Sequence, residues 1–312
     1  MKEANSTVKN KRLQSLDALR GFDMFLLVGF EGIFRALPEL KDSVVNNWLA
    51  NQFVHSRWHG FTLYDLIFPL FIFIVGVAIP FSFSKRLKQP GGKRALLKHV
   101  VTRAIVLTIL GAVLWGAPWG MHEHYGFYSV LFRIGFSYFF ASLIYMNTGK
   151  RGQIAWAFGL VIGFWLLMRF LPVPGYGMGD YSQEGNVANY LRALFDENIS
   201  YNFRYVIDIS LAPTISIALF GILAGQLLRS NKTENHKTTW MLFGGMILIL
   251  LGLLSHLEFP VTKWISPSFI FLTTGISSVL MGVFYWIIDV KGYQKWAFFF
   301  VVVGVNSITI YH

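Results

Sequence analysis

Apolar positions along this 312-residue chain fall in long unbroken runs, not in the alternation of a strand or the one-sided stripe of a soluble amphipathic helix. A run of about 20 apolar residues at about 1.5 Å rise matches the hydrocarbon thickness of a bilayer, so each such run predicts a membrane-crossing helix. The runs are Leu16–Leu37, Phe61–Phe83, Val100–Trp115, Phe127–Met146, Ile154–Leu171, Tyr205–Leu228, Thr239–His256, Trp264–Ile288 and Trp296–Tyr311. They predict an all-α polytopic membrane protein, a bundle of about nine transmembrane helices in a single domain over residues 1–312. Residues 1–15 precede the first span, and residues 172–204 form the long connection. The last run stops at Tyr311 and His312 with no polar flank, which predicts one or two further helices beyond this sequence.

Composition agrees: 54% of residues are hydrophobic and only 14% charged, far from the balance of a soluble domain. The net charge of +11 would suggest a nucleic-acid partner in a soluble protein. Here the cations gather in alternate connections: the N-terminus, Lys85 to Lys98, Lys150 with Arg151, Arg229 to Lys237, and Asp289 to Lys295. By the positive-inside rule this predicts a multi-pass protein of the inner, cytoplasmic membrane, with the N-terminus cytoplasmic, His55 and the 172–204 loop outside, lipid as partner and no nucleic acid. The opening MKEANSTVKNKR leads into Asp17, Arg20 and Asp23 and has no cleavable signal pattern. With no cysteine, a thiol nucleophile, a disulfide or a thiolate metal site is excluded, and no metal site is expected.

Charges within the runs then become the candidates for chemistry, because a charge in a bilayer is costly unless paired or facing a cavity. Asp65 interrupts the second run just after His55, Trp58 and His59. A turn at Gly60 would fold an imidazole back onto Asp65, and a carboxylate on one ring nitrogen fixes the tautomer of a histidine base. His55 is preferred, with His59 competing for the same role. Glu31 is either a snorkelling carboxylate or a functional acid. Arg103 is expected near the inner end of its span, and Arg133 is expected to face an anionic ligand or Asp17. Asn306 and Thr214 suit helix–helix hydrogen bonds. The turn with Tyr176, Gly177, Gly179 and Asp180 is either an ordinary loop or an aromatic and acidic surface for a sugar ring.

Several of these residues stand in recognisable blocks: RLQSLDALRGFDMF, the H-x-x-W-x-G stretch running into DLIFPLFIFIVGV, VLFRIGFSYFFA, LPVPGYGMGD, ALFGILAG, and IDVKG with VNSITIY. In this order, over nearly the whole chain, they resemble the heparan-alpha-glucosaminide N-acetyltransferase family and its bacterial relatives. The resemblance implies a transmembrane acyltransferase that moves an acetyl group from cytoplasmic acetyl-CoA to an amino sugar or related glycan on the far side. It implies His55 as catalytic base or acyl carrier, Asp65 as its orienter and Glu31, at a position where a relative carries a functional asparagine, as a second acid/base group. Arg103, Arg133 and Lys98 would hold the CoA phosphates, and Trp58, Tyr176, Asp180 and Asn306 the acceptor. One departure is clear: relatives carry Asp-Pro-Glu-Gly before the ALFGILAG-like helix, whereas this chain reads FRYVIDISLAPTIS, with Asp208 close by.

Two other readings stand beside the enzyme. A transporter or non-catalytic binder of sugar or peptidoglycan fragments would use the same charges as a path, but the inverted repeats of such folds are absent from the sequence. An inactive relative would follow from the missing Asp-Pro-Glu-Gly. Aromatic residues on lipid-facing helices would suit a homodimer, with no face singled out.

Overall fold

The computed structural model describes residues 13–87, 89–114, 129–194, 208–263 and 266–310. Among these all regular structure is helical. The chain opens with α1 (Gln14–Phe25), which passes through a π-helical turn (Leu26–Phe30) into α2 (Glu31–Leu40), followed by the short α3 (Val44–Gln52). The long helices are α4 (Leu63–Arg86), α5 (Gly92–Leu114), α6 (Val130–Asn147) and α7 (Lys150–Phe170). The short α8 (Val187–Leu194) leads to α9 (Leu211–Arg229), α10 (Glu234–His256) and α11 (Pro267–Phe284), which continues as a π turn (Tyr285–Val290). Two short helices, α12 (Phe298–Val305) and α13 (Ser307–Ile310), end the described chain.

The long helices α4, α5, α6, α7, α9, α10 and α11 are the seven among the described residues long and apolar enough to cross a membrane. The protein is thus an all-α polytopic membrane protein, with seven of the nine expected spans seen among the described residues. The first predicted span is helical throughout, but its five charges and its π turn divide it. The last is cut to α12 and α13. The basic run predicted as a loop is largely helix, because α5 starts at Gly92, directly after the turn at Pro90 and Gly91.

Helices α4 and α9 form the centre, each with 78% of its apolar window buried, against 28% for α5 and α7 and 22% for α10. A helix that is apolar on every side must be surrounded by protein or by lipid, and here α4 and α9 take the protein while α5, α7 and α10 turn Ile105, Ile109, Trp156, Phe243 and Leu250 outward. The central pair approaches through small residues, as membrane helices do when van der Waals contact drives association. A Cβ placed on Gly76 would stand 2.1 Å from the Ala218 carbonyl oxygen, and one on Gly221 only 2.2 Å from that of Phe73. At one end of the bundle Asp289 accepts from the Ser15 backbone N–H at 3.1 Å and Tyr285 donates to Glu234. His55 lies at the other end.

Candidate active site

The site begins where α4 begins. Thr62 and Asp65 have the spacing of a capping box, in which a side chain three residues into a helix reaches back to the orphan N–H at its start. The Asp65 Oδ2 atom accepts from the Thr62 N–H at 3.2 Å, the Thr62 hydroxyl at 3.1 Å and the Ser56 N–H at 3.2 Å. Two backbone donors thus hold one oxygen of a fully buried side chain, and the Thr62 hydroxyl shares its one proton between that oxygen and the Val54 carbonyl at 2.9 Å. The other oxygen, Oδ1, takes Nδ1 of His55 at 2.7 Å. An ionised carboxylate only accepts, so Nδ1 carries the proton and Nε2 of the neutral ring is left with its lone pair. The His55 side chain is 47% exposed, and its ring meets the Tyr64 ring edge-on at 4.6 Å.

Tyr64 joins this pair to α2. Its hydroxyl donates to Glu31 Oε2 at 3.0 Å, and Arg35 holds the other Glu31 oxygen at 2.8 Å. Glu31 is therefore one aromatic ring away from His55.

The third wall comes from the connection between α10 and α11. Gly60, at φ +125°, donates its N–H to the Val261 carbonyl at 2.8 Å, and His59 pairs with Thr262 as a single antiparallel bridge. The His59 Nδ1 atom lies 2.8 Å from Thr262 Oγ1, so the histidine that competed for Asp65 instead pins two loops together. This bridge sets Lys263 beside the site, its Nζ 3.9 Å from Asp65 Oδ1. Burial lowers the Lys263 pKa, Asp65 opposes that shift, and the positive charge of Arg133 adds to it.

Behind Lys263 lies a buried ion cluster. Arg133, in the first turn of α6, faces Asp208 at 3.6 Å, not Asp17. Asp208 also takes Arg192 of α8 at 2.9 Å and the Ser210 N–H at 2.8 Å. Asp17 instead meets Arg20 one turn along α1, at 3.5 Å.

The structure thus gathers His55, Asp65 and Glu31 in one place, with Arg133 close behind, and leaves other expected residues elsewhere. The three cations expected to share a nucleotide fall in three places: Arg133 with Asp208, Arg103 over the Tyr138 ring at 4.8 Å, and Lys98 exposed on α5. Trp58 donates its indole N–H to the Tyr181 carbonyl at 2.8 Å, tying the His55 loop to residues 172–186. Asp180 accepts from the Ser182 N–H at 2.7 Å within its own turn, and Tyr176 is exposed. Asn306 bonds back along its own helix to the Val302 carbonyl at 2.9 Å. Residues 195–204 of the long loop lie outside the described residues.

Sequence reasoning missed Lys263 and Arg192. Lys263 directly follows Thr262, and Arg192 carries the one basic group of α8, but neither position signals its partner.

The comparisons with known proteins bear on this geometry. A family profile described as "Domain of unknown function (DUF5009)" matches residues 12–191, which include His55, Asp65, Glu31 and Arg133. The chain is 26% identical to the heparan-alpha-glucosaminide N-acetyltransferase of Homo sapiens, with 96% of this chain and 52% of that protein covered. It is 27% identical to the protein of the same name from Mus musculus, covering 83% of this chain and 48% of the relative. The chain therefore spans about half the length of the curated relatives it matches. The profile match extends over more than half of the chain and holds the His55–Asp65 pair, so this chain belongs to the DUF5009 family and is a distant relative of the heparan-alpha-glucosaminide N-acetyltransferases.

Proposed function

We propose that this protein is a transmembrane acyltransferase that transfers an acetyl group from acetyl-CoA to the amino group of an amino sugar or related glycan. The observation that carries the reading is the 2.7 Å contact between His55 Nδ1 and a buried Asp65 carboxylate. That arrangement orients an imidazole as a base, and the two relatives named as N-acetyltransferases support acyl transfer as the use made of it.

In this mechanism Nε2 of His55 takes the proton of the acceptor amine as its nitrogen attacks the thioester carbonyl carbon. Asp65 holds the tautomer and stabilises the imidazolium that forms. Glu31, reached through Tyr64, is a second acid/base group or a handle for the acceptor amine. Arg133 offers a fixed cation to the anionic donor. We place the protein in the cytoplasmic membrane with its N-terminus inside and His55 outside, on the distribution of Lys and Arg among the connections.

The test is turnover of acetyl-CoA with glucosamine by the purified chain, read as release of the CoA thiol. His55→Ala is expected to lower kcat by about 10²- to 10⁴-fold, the usual contribution of a positioned base, with an unchanged melting temperature. Turnover by that variant at the parent rate would remove His55 from the mechanism.

A further inference from the structure

We propose that Lys263 is the oxyanion-stabilising residue of this site, donating a hydrogen bond to the acyl oxygen as negative charge develops on it. The proposal rests on the acyl-transfer reading above and adds the group which that reading lacks.

Three observations carry it. First, Lys263 and His55 share one atom: Asp65 Oδ1 lies 2.7 Å from Nδ1 of His55 and 3.9 Å from Nζ of Lys263. Ammonium and imidazole therefore stand a single carboxylate oxygen apart. Second, the ammonium makes no hydrogen bond among the described residues. At 3.9 Å its contact with Asp65 is electrostatic and too long for one. Asp65 already holds Ser56 and Thr62 on Oδ2 and His55 on Oδ1. A lysine has three rotatable N–H donors, and here they are spare. Third, the lysine is placed and partly dried. Its side chain is 23% exposed, and its backbone is fixed by the His59–Thr262 bridge and by the Thr262 N–H on Ser266 Oγ at 2.9 Å.

A half-buried cation with open donors beside a base is suited to charge that appears only in the transition state, since a preorganised donor costs no reorganisation when the charge forms. The step balances as follows. The acceptor nitrogen bonds to the acyl carbon, the C=O π pair moves onto oxygen beside Lys263, and the amine proton passes to Nε2 of His55. When the pair returns, the C–S bond breaks and the thiolate leaves with its electrons. It then takes the proton from His55 to become the CoA thiol. Lys263 keeps its own protons throughout.

The experiment uses the full chain in detergent, with acetyl-CoA and glucosamine as probes and thiol release as readout. Lys263→Met is expected to lower kcat by about 10- to 10³-fold, the range for losing one such donor, with KM for both substrates within about threefold and the melting temperature retained. Lys263→Arg should restore part of kcat, because the charge and donors return in another shape. Should Lys263→Met not fold, Lys263→Gln is read by the same criteria. A kcat within about threefold of the parent, or a loss confined to KM, overturns the proposal and leaves the His55 reading standing. Absence of thiol release by the parent chain would overturn the acyl-transfer reading and Lys263 with it.

Discussion

Replacing Asp65 by asparagine changes one atom and tests the centre of the mechanism. The parent carboxylate satisfies the Ser56 N–H and the Thr62 N–H with Oδ2, and His55 with Oδ1. An asparagine has one acceptor oxygen and so cannot serve both sides. Turning its NH₂ toward Ser56 and Thr62 would orphan buried donors at about 1–3 kcal/mol each. Turning it toward His55 costs only a change of tautomer. The second arrangement wins, and Nδ1 becomes the acceptor while Nε2 carries the proton, so the neutral ring has no lone pair facing the substrate. Asp65→Asn is therefore expected to lower kcat about a thousandfold, or about 4 kcal/mol in the barrier, with little loss of stability. Asp65→Ala removes both oxygens and should in addition cost about 3 kcal/mol or more of stability through the orphaned donors. The assay is thiol release from acetyl-CoA paired with a thermal melt of each variant. A kcat for Asp65→Asn above a tenth of the parent value would refute the tautomer argument.

Two further outcomes follow from the same coordinates. Because burial holds the Lys263 pKa below 10.5, kcat should fall with rising pH on a limb centred below that value, and Lys263→Arg should move the limb upward. The folded protein binds fewer protons than the unfolded chain between the depressed and the ordinary lysine pKa, so stability should rise with pH across that window while activity falls, a divergence visible by comparing melts with rates. Gly221→Ala would force a Cβ to 2.2 Å from the Phe73 carbonyl oxygen at the α4–α9 seam and should destabilise by about 1–3 kcal/mol; Gly159→Ala, with open space around its Cβ, should not, and equal melts for the two would refute the close-packed seam.

Much of the site was readable because it is local. His55 and Asp65 are ten residues apart on either side of one glycine turn. Glu31 stood out as a carboxylate in an apolar run, and α2 then carried it to Tyr64. The residues that escaped are those whose partners lie far along the chain. Lys263 reaches Asp65 only because His59 pairs with Thr262, 203 positions away. Arg133 was expected to face an anionic ligand or Asp17; Asp17 has Arg20 one turn along its own helix, and Arg133 meets Asp208, just ahead of α9.

The residue pattern alone determined that this chain is a helical membrane protein with a histidine–carboxylate pair at a helix mouth, since run length and a short glycine turn are properties of neighbouring residues. The tertiary structure decided which histidine pairs with Asp65, which cation stands beside it, and which of the described runs are long enough as helices to cross. Those outcomes depend on which loops meet across the bundle and on where glycines let α4 and α9 approach, and distances between elements are written in packing, not in spacing along the chain.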